Sequence, residues 1–361
     1  MTARHAFLLD PDVVYLNHGA FGACPRSVFD EYQRWQLGLE RQPIDLFERR
    51  LRGELAGVRD ALGAYVGAAA DDLALVLNAT AGMNAVLRSL RLEAGDEILT
   101  TEHEYGAVEQ LLAYVAERTG ARVVRAEGID ADEIWSAATP RTRVLVVSHV
   151  TSPTALLLPV EELCRRAREA DVLSVVDGAH GPGQVPLDLE RLGADFYAGN
   201  CHKWLCAPKG AGFLYARPER QALVEPLVIG WGYETSPYAL AHDWESTRDP
   251  AAYLTVPAAI AFVRERGRGE ECRELLRRGS ALLEDAGYEP LAPEQPLQMR
   301  AFLLPACDPE EVQRRLLDEF RIEVPVRAWN GRHLVRVSVA PYNEPSDLER
   351  LAEALGRVLP A

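Results

Sequence analysis

Residues 172–212 read VLSVVDGAHGPGQVPLDLERLGADFYAGNCHKWLCAPKGAG, and the fold is decided here. The opening apolar run, Val172 to Val176, holds no turn residue, which is the pattern of a parallel strand buried on both faces. It ends on Asp177 and the glycine-rich GAHGPG turn. An acid at the carboxyl end of such a strand lies on the edge where open α/β sheets bind ligands. A second apolar run, Asp195 to Gly199, leads into Asn200, Cys201, His202 and Lys203. Two strand ends thus deliver an acid and a lysine to one crevice.

A lysine flanked by Trp204 and Leu205 can be desolvated, which lowers its pKa and frees the amine to attack an aldehyde. A buried carboxylate beside it needs a cationic partner, which a protonated pyridine nitrogen supplies. That pairing is how proteins hold pyridoxal phosphate and use it as an electron sink. Read singly, Lys203 is a surface lysine and Asp177 a turn residue. The Asp-x-x-His pattern with a His-Lys-Trp after the next strand favours the cofactor reading.

At these residues the chain resembles the class V aminotransferase family of fold type I pyridoxal phosphate enzymes. VVDGAH at 175–180, GNCHKW at 199–204 and KGAGFLY at 209–215 carry the resemblance, and YLNHGAFG at 15–22 sharpens it toward the isopenicillin N epimerase-like branch. The resemblance implies that Lys203 holds the cofactor as a Schiff base, that Asp177 pairs with its ring nitrogen and that His180, Asn200 and His202 lie around it. It implies further that Asn17, His18 and Gly19 line the substrate side.

Working outward, the stretch 71–90 reads as strand, turn and helix. The turn at Asn78 to Gly82 offers backbone N–H groups at a helix start, a ready phosphate site. Thr80 as an ordinary N-cap is the plain alternative. In a chain with this resemblance Ala79, Thr80 and Ala81 become the expected phosphate cup. The strand Glu97 to Thr101 ends in EHEYGAV, where His103 is preferred over Tyr105 as the aromatic stacked on the cofactor. After the strand Arg143 to Ser148, the resemblance puts Ser152 near the cofactor's phenolic oxygen; His149 reads equally as a pocket or a loop residue.

The alternation of strands and helices over 72–216 predicts a mostly parallel, doubly wound sheet of the seven-stranded type, with a smaller α+β domain behind it. The expected division is an N-terminal segment and substrate loop at 1–24, a large domain at 25–255 and a small domain at 256–361, joined by helices over 256–286. Two helices separated at Gln42 and Pro43 are expected between Pro25 and Val66, and strand, turn and strand over 213–229. The long aromatic loop at 231–254 ends in WESTRDP, which resembles a stretch that reaches the other subunit's phosphate. It implies a role for Thr247 and a homodimer with its site at the interface. In the small domain Arg336 alternates with Leu334 and Ser338, so its planar fork needs an anion on a half-buried face. An internal salt bridge would satisfy it; the resemblance makes it the α-carboxylate anchor.

The chain has 54 acids against 39 bases and a net charge of −15, a surface that repels nucleic acid and anionic membrane. Its six cysteines, at 24, 164, 201, 206, 272 and 307, form no CxxC pair, so neither a disulfide framework nor a metal site is expected, and the cytoplasm is the expected compartment. The expected activity is attack at the α-carbon of an amino acid, by epimerisation or carbon–sulfur β-elimination, with transamination as the alternative. A cysteine desulfurase would need a cysteine on the loop Val324 to His333, which has none. A non-catalytic sensor or scaffold on this fold is the remaining alternative, and retention of both Asp177 and Lys203 argues against it.

Overall fold

The computed structural model describes residues 4–231, 233, 238–243 and 246–359. The strands are β1 (Val14–Tyr15), β2 (Leu73–Val76), β3 (Glu97–Thr101), β4 (Arg122–Ala126), β5 (Thr142–Ser148), β6 (Leu173–Gly178), β7 (Phe196–Asn200), β8 (Gly212–Ala216), β9 (Met299–Leu304), β10 (Ile322–Glu323), β11 (Val326–Trp329) and β12 (Arg332–Ser338). Seven of them form one sheet in the order β2-β8-β7-β6-β5-β3-β4. Strands β3 to β7 run parallel, and β8 is antiparallel to both of its neighbours. The doubly wound sheet expected from the strand and helix alternation is therefore the fold.

Strands β2, β3, β7 and β8 are buried at every position, as is nearly all of β5 and β6. Helices cover both faces, so no polar face was needed and the sequence shows apolar runs rather than alternation. One core layer holds Leu99, Leu145, Val147, Val176, Tyr197 and Phe213; the other holds Ile98, Val144, Val146, Val175, Phe196 and Leu214. Replacing a fully buried residue such as Leu145 by Ala costs about 2–5 kcal/mol. The chain steps from β3 out to β4 and returns to β5. The ends of β3, β5, β6 and β7 consequently open on one crevice, at the point where strand order reverses.

Two local expectations need correction. The residues after β8 do not form a second strand: a 3₁₀ turn runs over Pro218–Leu223, and 224–229 is irregular. Pro218 begins that turn with its φ already set, and Pro226 lacks the N–H a ladder would need. Between helices Arg26–Arg41 and Leu51–Val66 the connection is more than a turn at Gln42 and Pro43, because Asp45–Arg50 is a π-helical turn running into the second helix.

The second sheet is the antiparallel β11-β12-β9, backed by helices Gly269–Asp285, Pro309–Phe320 and Pro345–Val358. The N-terminal strand belongs to this side, since β1 pairs in parallel with β10 through Val14↔Ile322, and Asn17 bridges Ser338. Helix Val256–Arg266 packs on Arg26–Arg41 and Leu51–Val66, with Ile260 and Phe262 in the large sheet's core. Among the described residues no helix is long and apolar enough to cross a membrane, and no group of three His, Cys, Asp or Glu side chains is arranged to hold a metal ion.

Candidate active site

Asp177 sits at the end of β6, paired across the sheet with Ser148 of β5 and Ala198 of β7. Its Oδ1 accepts the Ala179 N–H at 2.9 Å. Among the described residues it has no ion pair. Burial raises its pKa above the ordinary carboxylate value, against the Ala179 N–H and the charge of Lys203. A buried carboxylate with one hydrogen bond needs a cation beside it.

Lys203 stands three residues beyond β7, on the loop between β7 and β8. Burial, followed by the positive charge of Arg336, lowers its pKa to about 7, while Asp177 opposes the shift. The free amine is then within reach near neutral pH, where an ordinary lysine is protonated. Its Nζ lies 3.0 Å from His180 Nε2. Burial and the charges of Lys203 and Arg336 hold His180 well below the usual histidine range.

The N-terminal loop closes over this lysine. His18 Nε2 is 3.1 Å from the Lys203 carbonyl oxygen, and His18 Nδ1 is 3.0 Å from the Tyr342 hydroxyl. Gly22, at φ 67°, passes so near the His202 and Lys203 carbonyls that a side chain there would collide with them. This is a position where only glycine fits.

Arg336, on β12, is more deeply buried than the half-buried strand face expected for it, with 8% of its surface exposed. Its Nη1 donates to the Ser152 carbonyl oxygen at 2.5 Å and reaches Ser152 Oγ at 3.2 Å. Its Nε is buried with no partner among the described residues, and so are Asn17 Oδ1 and Ser338 Oγ. Asn17 Nδ2 donates to Glu323 Oε1 at 3.0 Å. Gly19 lies beside the fork: a Cβ there would crowd Ser338 Oγ at 3.0 Å and Met299 Sδ at 3.3 Å, and would meet Arg336 Nη2 at an ordinary 3.5 Å. Ser152 thus has Arg336 as its contact.

The other expected residues take more varied places. Helix Ala79–Ser89 starts at the end of β2, with Asn78 capping Ala81 N–H at 2.9 Å and Asn200 Oδ1 accepting Ala79 N–H at 2.8 Å. Of the three expected cup members, Thr80 alone keeps both its N–H and its hydroxyl unpartnered among the described residues. His103 is buried and stacked on Trp329, ring centroids 4.8 Å apart at 23°, with Nδ1 3.1 Å from Thr154 Oγ1. Burial lowers its pKa to about 4, so the ring is neutral. Tyr105 is exposed at the start of the following helix. His149 is buried with Nδ1 3.0 Å from the Tyr197 hydroxyl. His202 is half-buried, its Nδ1 has no partner among the described residues, and burial lowers its pKa to about 4. Thr247 is exposed, and Trp244 and Glu245 of the same motif lie outside the described residues.

Sequence reasoning missed Glu104. This buried carboxyl accepts from Ser148 N–H (3.1 Å), Ser148 Oγ (2.6 Å) and Thr101 Oγ1 (2.9 Å), tying the end of β3 to that of β5 beside Asp177. Burial raises its pKa to about 7 against those three bonds. Its signal was visible in EHEYGAV, where a second acid follows the His at a strand end.

A free lysine amine, an uncompensated buried carboxylate, a helix start with open donors and a buried arginine with a free edge converge on one crevice. They fit an anionic, aldehyde-bearing cofactor with a basic ring nitrogen, and they define a fold type I, pyridoxal-phosphate-dependent enzyme. The sequence model of the family described as Aminotransferase class-V matches residues 14–351, and the chain belongs to that family. It is 38% identical to the isopenicillin N epimerase of Streptomyces clavuligerus, over 98% of this chain and 96% of that protein. It is 31% identical to a probable chloroplastic L-cysteine desulfhydrase of Arabidopsis thaliana, over 96% of this chain and 83% of that one. Among solved structures, the cysteine desulfurase CsdA from Escherichia coli superposes with a TM-score of 0.83 at 25% identity, covering 98% of this chain and 97% of that one. The enzyme acts at the α-carbon of an amino acid, with pyridoxal phosphate as its cofactor.

Proposed function

We propose that this enzyme removes the α-proton of an amino acid from one face and adds a proton to the opposite face of the same carbon, as an epimerase. The observation that carries the reading is Arg336: a buried guanidinium whose Nε has no partner among the described residues, close enough to Lys203 to lower its pKa. An arginine so placed suits an α-carboxylate, bound side-on through Nε and Nη2. Identity to the epimerases over nearly the whole chain supports return of a proton. Identity to the desulfhydrases supports a second reading, loss of a β-sulfur group after the same first step. Transamination has no feature of the site in its favour.

Pyridoxal phosphate, when bound, supplies an aldehyde for the substrate amine and a ring that withdraws the electron pair left at the α-carbon. Lys203 Nζ, a free amine near neutral pH, is the base that accepts the α-proton. Asp177 would hold positive charge on the ring nitrogen, and His103, His180 and His202, all neutral imidazoles, would lie around the ring. Thr80 offers its N–H and hydroxyl to the phosphate, with Ala79 and Ala81 fixed by Asn200 and Asn78. Asn17, His18 and Gly19 close the substrate side, and Ser152 steadies Arg336.

The large domain at 25–255 supplies the lysine and the small domain at 256–361 the arginine, with the described residues of the 1–24 segment meeting both. A homodimer completes the site in this reading. Its support is the exposed apolar series Leu227, Val228, Ile229, Trp231 and Tyr233, with Trp231 91% exposed, leading toward exposed Thr247. Apolar surface of that kind marks an interaction face. All six cysteines are free, in keeping with a reducing cytoplasm.

The test is incubation with candidate amino acids, including cysteine conjugates and sulfoxides, in deuterated water, followed by NMR and mass spectrometry. Deuterium at Cα with inversion is the expected result. Pyruvate with a released thiol or sulfenate establishes the second reading, and a 2-oxo acid with the cofactor left as the amine overturns both. Sedimentation at working concentration should give a dimer; a fully active monomer would refute the interfacial site.

A further inference from the structure

Lys203 is one end of a chain of three side chains whose other members have no assigned chemistry. Trp204 Nε1 donates to His180 Nδ1 at 3.1 Å, and His180 Nε2 lies 3.0 Å from Lys203 Nζ. Trp204 and His180 are buried, so water does not compete for the bond between them. An indole N–H donates and never accepts, and therefore His180 Nδ1 must carry a lone pair. The ring is neutral, since burial, the largest cause, and the charge of Arg336 disfavour imidazolium. A neutral imidazole has one proton, which must then sit on Nε2, aimed at Lys203. An ammonium has three donors and no acceptor. Only the free amine can receive the His180 N–H.

We propose that Trp204 is a positioning residue: its indole N–H fixes His180 as the Nε2–H tautomer, and His180 in turn donates to the Lys203 ε-amine and holds it as the free base. The inference rests on Lys203 being the cofactor lysine, and adds how that lysine is kept nucleophilic.

The other groups near Lys203 do not do this. Asp177 favours the ammonium and Arg336 opposes it, both through charge alone. His202 is neutral. His18 faces the Lys203 carbonyl rather than its amine, and Lys209 donates to the Gly22 carbonyl oxygen at 3.3 Å. None of them selects between the tautomers of His180. Phenylalanine at 204 would give similar packing beside His18, whose ring centroid is 4.9 Å away, but no N–H.

The test reads the tautomer directly in the full-length chain without cofactor, by long-range proton–nitrogen correlation on ¹⁵N-histidine-labelled protein at pH 8. Wild-type His180 should carry its proton on Nε2. In W204F the Nδ1–H form should appear, because Nε2 is then free to accept from an ammonium. The Lys203 pKa, taken from the pH dependence of pyridoxal phosphate capture, should rise by about one unit. That is a tenfold loss of free amine below neutrality, about the worth of one neutral hydrogen bond. Y342F removes a comparably buried bond to His18 and should leave both readouts unchanged. If W204F does not fold, the benzothiophene analogue of tryptophan at 204 keeps the shape and lacks only the N–H. An Nδ1–H tautomer in the wild type, or an unmoved tautomer and pKa in the variants lacking the N–H, overturns the proposal. A borohydride label on another lysine would overturn the assignment of Lys203 instead, whatever the tautomer of His180.

Discussion

Replacing Arg336 by Met removes the guanidinium while keeping much of the apolar stem that packs along β12. If Nε and Nη2 bind the substrate carboxylate, two charge-assisted hydrogen bonds go, each worth about 1.5–3 kcal/mol. At least about 3 kcal/mol is lost, which is more than a hundredfold in affinity at about 1.4 kcal/mol per decade. Burial lowers the Arg336 pKa only to about 10, so it is charged throughout the working range and the effect should not depend on pH between 6 and 8. The assay is titration of wild-type and variant holoenzyme with L-alanine and with L-alaninamide, following the cofactor absorbance. The acid should weaken more than a hundredfold in R336M and the amide by only a few-fold, because the amide has no carboxylate to lose. R336K should fall between, keeping the charge without the fork. Equal weakening of acid and amide, or an R336M variant that binds L-alanine within threefold of wild type, would refute the anchor.

Four further outcomes are expected. Borohydride should fix the cofactor to Lys203 in a peptide map, and K203A should stay folded but uncoloured after reconstitution; a label on Lys209 contradicts this. Asp177→Asn should cut turnover far more than cofactor affinity, since an amide cannot hold the ring nitrogen protonated, and near-normal turnover would make Asp177 structural. With the Lys203 pKa lowered to about 7, the amine is protonated below that value, so capture of pyridoxal phosphate should slow about tenfold per pH unit below 7 and level off above it; a rate still climbing toward pH 10 would mean an ordinary lysine. Gly22→Ala places a Cβ against the His202 and Lys203 carbonyls at φ 67° and should cost at least ~1–2 kcal/mol for the left-handed backbone, seen as a lower Tm by calorimetry. An unchanged Tm would show that the loop gives way freely.

The large sheet was legible in the sequence because its strands are buried on both faces and read as apolar runs ending in Asp177, Ser148 and Asn200. The acid, the lysine and the arginine were legible for a related reason: each breaks an apolar or alternating pattern where a charge needs an explanation. What could not be read were bonds between distant segments. No periodicity reveals that Asn200 would cap Ala79, that His103 would lie on Trp329, or that β1 would pair with β10. Trp204 was visible as an apolar neighbour of Lys203, but its N–H acquires meaning only once His180 is 3.1 Å away. The second strand expected within 213–229 failed because no ladder partner stands there among the described residues, which composition alone does not disclose.

The pairing of β1 with β10, and of Asn17 with Ser338, has a consequence for how the protein is made. The segment that holds Val14 and Asn17 is made before its partners, which lie more than three hundred residues later. At ~5–20 residues per second it waits some tens of seconds before anything can receive it. Lys203 and Asp177 emerge well before Arg336, so under the proposed assignment the cofactor residues are made before the carboxylate anchor. If Arg336 is the carboxylate anchor proposed above, synthesis through β12, rather than cofactor loading, is the step at which the site acquires its discrimination.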